Sequence, residues 1–278
     1  MTAVTQANHP TAGHRPPAGH RPPRSALRGR PTFHTQIVAE LTKLTSTRAV
    51  RWILPSIGVL VALMMSGVVF SGSVSQDGLA TDDGLRIVLE HGSLGAVLTL
   101  ILGIGISAGE YRHRTAVDTF LTEPRRGRVL LAKLSAGAVV GLVAGLIAAA
   151  SAVATASVWY AAKDIPLDLG SSVVVRSVAG MAGANLLFTL LGVTVGWLIR
   201  GQAVAIVSAL IWIFAVETAI AQLLVSAGRW LPWTAGLTLG NAPDAGLLPQ
   251  AGAGVVLLGW VAVLSVAAAV ASRRDVTE

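Results

Sequence analysis

Five stretches of this chain run for 20 residues or more with apolar side chains on every side, and a sixth runs for 15. A helix of a large soluble core keeps a charged outer face; one that is apolar all round belongs in lipid. Twenty residues at a rise of ~1.5 Å cover about 30 Å, the thickness of the hydrocarbon layer. The predicted spans are residues 52–71, 88–108, 134–159, 177–199, 203–226 and 251–271. The second is completed from its apolar segment Leu94–Ala108 by the turns that precede it. Only 13% of residues are charged, about half the ~25% of a soluble domain. The predicted fold class is an all-α polytopic membrane protein of six transmembrane helices, with an N-terminal amphipathic interfacial helix and both termini cytoplasmic.

The flanks read differently. Residues 1–32 hold six of the twelve prolines and repeat Ala12–Pro17 as Ala18–Pro23. Such a Pro/Arg/His-rich tail cannot bury a core and is expected to stay disordered. His14 and His20 lack the further ligands a metal site needs. No apolar stretch precedes Phe33, so the sequence predicts no secretory signal peptide. Residues 33–51 form the predicted interfacial segment: Phe33, Ile37, Leu41 and Leu44 recur at helical spacing, with Glu40 and Lys43 elsewhere around the wheel. The alternative for this helix is a stalk continuous with the first span. Residues 52–274 make the six-span domain, and 275–278 a short cytoplasmic tail.

Lys and Arg orient the spans. Seventeen of the 21 fall in the N-terminal segment, the connector after span two, the connector between spans four and five, and the C-terminal end. Arg86, Lys163, Arg176 and Arg229 fall on the other side. The bias places both ends in the cytoplasm, in the cytoplasmic (plasma) membrane, and Trp52, Trp159, Tyr160, Trp197, Trp230 and Trp233 lie at span ends or beside them. A net charge of +7 confined to short connectors reads as topology, so no nucleic-acid partner is expected. The chain has no cysteine, which excludes disulfides and thiolate chemistry.

Few groups within the spans can carry chemistry. Gly137, Gly141 and Gly145 make a small-residue stripe on span three, and Gly192 and Gly196 another on span four. Such faces let helices approach closely, here favoring packing within one bundle over a subunit interface. Glu217 lies inside span five, where a carboxylate must face protein or water. It reads as a gate, a substrate contact or proton site, or as a structural group bonded to Asn185 of span four or to the neighbours of Thr218. Gly105–Gly109 matches the G-x-S-x-G pattern around Ser107, but that motif needs a strand turning into a helix and a converging His/Asp pair. An intramembrane hydrolase using Ser107 is the remote alternative. No P-loop and no H-E-x-x-H occurs, so neither ATP phosphates nor a metal are expected to bind this chain.

The connector Gly109–Lys133 is the densest polar segment between spans. Glu110 and Arg114 are spaced to pair along a helical face, and Thr115–Phe120 predicts a short helix closed by Pro124. Its apolar tip, Phe120 and Leu121, suits a soluble partner; its arginines alone suit anionic lipid. With the surface helix and six spans, the pattern Glu110, Thr115, Phe120-Leu121, Pro124, Arg126 and Lys133 resembles the permease subunits of type-2 ABC exporters. Glu217 and Arg229-Trp230-Leu231-Pro232 resemble what actinobacterial members carry. The similarity covers about Phe33 to Arg274; Arg114 stands where members often have glycine.

The resemblance implies a subunit without enzymatic activity or cofactor of its own. ATP and Mg would be bound by a partner ATP-binding subunit, docked on the surface helix and on Glu110, Thr115, Phe120, Leu121, Pro124 and Arg126. It implies a second permease copy or paralogue, and a span-five/span-six connector (Leu231 to Leu248) dipping into the bilayer. Scarce polar groups in the spans point to a lipophilic cargo. The competing class is a proton-coupled secondary transporter using Glu217, against which no inverted repeat is apparent.

Overall fold

Thr32 opens the first helix by accepting the Thr35 N–H on its hydroxyl, and the helix runs Phe33–Ser46. The computed structural model describes residues 32–112, 125–242 and 248–274. Thr47 has extended backbone, so the surface helix is a separate element rather than a stalk of span one (Arg48–Ser71). Gly72, at φ 67°, closes span one in the left-handed conformation that glycine adopts without strain.

Six helices are long and apolar enough to cross a membrane, and the described residues contain no strand. The chain is an all-α multi-pass membrane protein. Span two covers Asp82–Glu110, well before the predicted residue 88. Thr81 caps its helix by accepting the Gly84 N–H, and Leu85, Val88 and Leu89 turn inward while Asp83 stays exposed. A 3-10 turn at His91–Leu94 joins this amphipathic piece to the apolar helix Gly95–Arg112. A hydropathy window misses the start because the first turns carry Asp82, Asp83 and Arg86.

Span three is one helix from Arg126 to Ala162, 37 residues, and so roughly 55 Å long. It exceeds the hydrocarbon thickness, and its first two turns are extra to the predicted 134–159. Span four is Ser172–Ile199, span five Gln202–Leu223 and span six Gln250–Ser272. In the apolar 18-residue stretches of spans two, three and four, 61%, 50% and 61% of residues are buried, against 22%, 17% and 22% for spans one, five and six, so the middle three form the core and the others its flanks.

The glycine stripes are spent inside that core. Gly137, Gly141 and Gly145 of span three meet Val193, Thr189 and Ala182 of span four. A methyl group on Gly145 would stand 2.6 Å from the Ala182 carbonyl oxygen. Gly192 and Gly196 face span two, where a methyl on Gly192 would overlap the Leu100 carbonyl. Backbone meets backbone at Gly145, Gly192 and Gly196, which is how small residues bring helices together in lipid.

The connector between spans five and six holds a helix, Pro232–Leu239, packed against span four. Trp233, near its N-terminus, meets Phe188 edge to face at 5.7 Å, just past the midpoint of span four. Leu239, at its other end, lies over Gly180, and Gln250 then bonds the carbonyls of Leu239 and Arg176. The helix therefore points its N-terminus into the middle of the bundle. Residues 243–247 of the same connector lie outside the described residues.

Candidate functional site

Two groups of polar side chains are buried in this apolar fold, one at the end of the bundle bearing the surface helix and one at mid-depth. The first centers on Lys133, which the sequence places in the basic loop and the structure buries to 1% exposure on span three. Its ammonium donates to Glu40 Oε2 at 2.9 Å and to the Ile106 carbonyl at 3.2 Å, and pairs with Glu110 Oε1 at 2.9 Å. Two hydrogen bonds and an ion pair thus hold the buried ammonium. Lys43 donates to Glu40 Oε1 at 2.7 Å and to Glu110 Oε1 at 3.0 Å.

Two carboxylates and two ammoniums thus form one ion-pair cluster. It joins the surface helix (Glu40, Lys43) to the last turn of span two (Glu110) and the first turns of span three (Lys133). Leu44 of the surface helix is buried beside it, in a cluster with Val50, Val129 and Leu130. The buried face of that helix is Glu40–Leu44, not the Phe33 edge, which stays exposed. Glu110 pairs with Lys43 and Lys133; Arg114, its predicted partner along the helix, lies outside the described residues.

Burial alone would raise the pKa of Glu40, but Lys133 and then Lys43 outweigh it and hold the carboxyl below its ordinary 4.5. For Lys43, burial works downward, and Glu40 and Glu110 overcome it, leaving the ammonium above its ordinary 10.5. A depressed carboxyl stabilises the fold above the unfolded value and loses that contribution as pH falls through the folded value. A raised ammonium keeps its contribution until pH rises through its folded value. Docking of the surface helix is therefore expected to hold from pH 4.5 to 10.5 and to loosen outside it. A spin label on exposed Thr42 should keep a broad spectrum across that window and sharpen in acid below it.

Of the other residues expected to meet an ATPase subunit, Thr115, Phe120, Leu121 and Pro124 lie outside the described residues. Arg126 is the half-buried first residue of span three, at the far end of that connector.

The second group is built around Glu217, 1% exposed. Span five changes to a π-helix over Trp212–Glu217. Five residues along an α-helix put two side chains roughly 140° apart; the wider π turn, which bonds i to i+5, brings them onto nearly one line. The Trp212 indole N–H accordingly donates to Glu217 Oε1 at 2.7 Å. The other oxygen accepts the backbone N–H of Trp233 at 2.8 Å, and the Thr234 N–H also faces the carboxylate. Pro232 opens that connector helix and its N-cap, Leu231, has no side chain able to cap it. Glu217 supplies the missing cap from span five.

Glu217 also forms part of the wall of a cavity of about 280 Å³ between spans two, four, five and six. Apart from Ser208 its remaining wall is apolar, with Phe188, Trp212 and Trp260 as the aromatic members and Leu100, Leu191 and Ile213 among the aliphatic ones. Asn185 is not the partner of Glu217. It donates to the Met181 carbonyl of its own helix at 2.8 Å, and its Oδ1 has no hydrogen-bond partner among the described residues.

Ser107 sits within the helix Gly95–Arg112, 1% exposed, with no strand-to-helix turn around it. The described residues hold no group of three or more His, Cys, Asp or Glu able to bind a metal.

No protein-family model matches the chain, and no curated protein matches it. Geometry and sequence pattern carry the functional reading.

Proposed function

We propose that this chain is the membrane-spanning permease subunit of an ATP-binding-cassette exporter in the plasma membrane, moving a lipophilic substrate. ATP and Mg are bound and hydrolysed by a separate subunit, and two permease copies, or this chain and a paralogue, form the pathway. The observation that supports it best is the Glu40–Lys43–Glu110–Lys133 cluster. It ties the surface helix to both helices that flank the 113–124 connector, so a push on that connector reaches spans two and three and the surface helix together. Force transmission of that kind is what a subunit driven from outside requires. Arg48, Arg51 and Trp52 stand exposed at the start of span one, where they suit anionic lipid headgroups.

Affinity purification of the tagged chain from its native membrane tests this reading. A stoichiometric P-loop ATPase should co-purify; recovery of the chain alone, stable and without ATPase activity, overturns it. Replacing Phe120 and Leu121 with Asp should lower substrate-stimulated ATPase by at least about 10-fold, the loss of roughly 1.4 kcal/mol of coupling, while membrane insertion is unchanged. Normal coupling in that variant would remove the connector from the docking surface.

The reading as a proton-coupled transporter rests on Glu217. One oxygen accepts the Trp212 indole N–H and the other the Trp233 N–H of the connector helix, which favors a structural carboxylate at the wall of a pathway over a proton carrier.

A further inference from the structure

We propose that the mid-depth cavity is a binding site for lipophilic organic cations, with Glu217 as its recognition group. Three observations meet there. The cavity is large enough for a small organic molecule, at about 280 Å³, and its lining is apolar apart from Glu217 and Ser208. The carboxylate is buried, and both of its oxygens accept N–H bonds, the pattern of an ionised acid. No cationic side chain forms an ion pair with it among the described residues.

Compensation of its charge is therefore incomplete. The donors on Glu217 are neutral, and the N-terminus of the connector helix offers the equivalent of roughly half a positive charge. The rest of the negative charge faces an apolar space, where an uncompensated ion is costly. A ligand that brings one positive charge and an apolar body satisfies both parts of the wall. Trp212 and Trp260 line the same cavity, and aromatic rings attract a cation placed over their faces. Each carboxylate oxygen retains lone-pair capacity beyond the bond it already accepts, so the ligand need not displace the cap.

A neutral hydrocarbon fits the volume but leaves the charge unmet, and an anion is repelled. Taken as cargo, the cation deepens the exporter reading and rests on it; as a binding site it stands apart, so the test is binding to the chain alone. Radiolabelled benzyltrimethylammonium and its neutral isostere neopentylbenzene, which exchanges the quaternary nitrogen for carbon, are titrated against the purified chain in phosphatidylcholine nanodiscs. Empty discs give the lipid background.

Saturable binding of the cation is expected, at least about 10-fold tighter than the isostere. Glu217→Gln should abolish the preference, and Glu217→Asp should retain part of it. Ala209→Phe, which fills the cavity from span five without touching the carboxylate, should weaken cation binding by a similar factor even where the Gln variant folds poorly. Equal binding of the two isosteres would mean a groove for any hydrocarbon, including a lipid chain, and would overturn the proposal. So would cation binding that survives Ala209→Phe unchanged. Failure of the binding test leaves the co-purified ATPase untouched, and absence of an ATPase leaves the binding result untouched, so the two readings fail separately.

Discussion

Lys133→Met should cost about 3–5 kcal/mol of stability, the effect of removing one partner from a buried ion pair. The wild-type ammonium donates to Glu40 and the Ile106 carbonyl and pairs with Glu110. Without it, two carboxylates share Lys43, whose side chain is 49% exposed and whose attraction solvent screens. Lys43→Met should accordingly cost less than about 1 kcal/mol, because the buried half of the cluster survives. Removing both sides of the long-range pair, as Glu40→Met with Lys133→Met, should recover much of the loss, since two apolar side chains replace two buried charges. Equilibrium unfolding in mild detergent, followed by tryptophan fluorescence, orders the three variants. Equal costs for Lys43→Met and Lys133→Met would refute the view that burial sets the strength of this cluster.

That cluster is only partly legible in the sequence. Composition and apolar run length are enough to find six spans, because lipid demands helices of fixed length that satisfy their own backbone. The same reasoning truncates span three at Leu134, since it reads a lysine as the edge of the bilayer. Lys133 does follow Val129-Leu130-Leu131-Ala132, and a cation embedded in an apolar run is a signal that it has a buried partner. The partner itself, Glu40, is 93 residues away, and no local periodicity relates the two. Glu217 is recognisable from sequence as costly, but its assignment to Asn185 fails for a local reason. The π turn moves its carboxylate toward Trp212 and the connector helix, and a 3.6-residue wheel cannot show such a turn. The glycine stripes read well because close approach needs small residues at fixed spacing, whatever the partner helix.

Glu217→Leu should release the connector helix from the middle of the bundle. The substitution keeps bulk and removes every acceptor, leaving the Trp212 indole N–H and the backbone N–H of Trp233 without their partner. A buried donor that loses its partner costs about 1–3 kcal/mol, so two give roughly 2–6 kcal/mol, and no water is at hand to replace the bonds at this depth. Other contacts of the helix survive, notably the Trp233–Phe188 ring pair and the packing of Gly236 on Phe188. The loss should therefore be local rather than global. The chain has no native cysteine, so a single reporter can be placed without background. Ala235→Cys, at a position 0% exposed in the wild-type fold, should resist a membrane-permeant maleimide in the otherwise native chain. With Glu217→Leu added, labelling should accelerate by at least about 10-fold, the population change that 1.4 kcal/mol produces. Glu217→Gln keeps one carbonyl acceptor and should fall between the two. If the reporter thiol reacted as slowly in the leucine variant as in the native background, Glu217 would not be the cap that positions this helix, and the π turn of span five would need another cause.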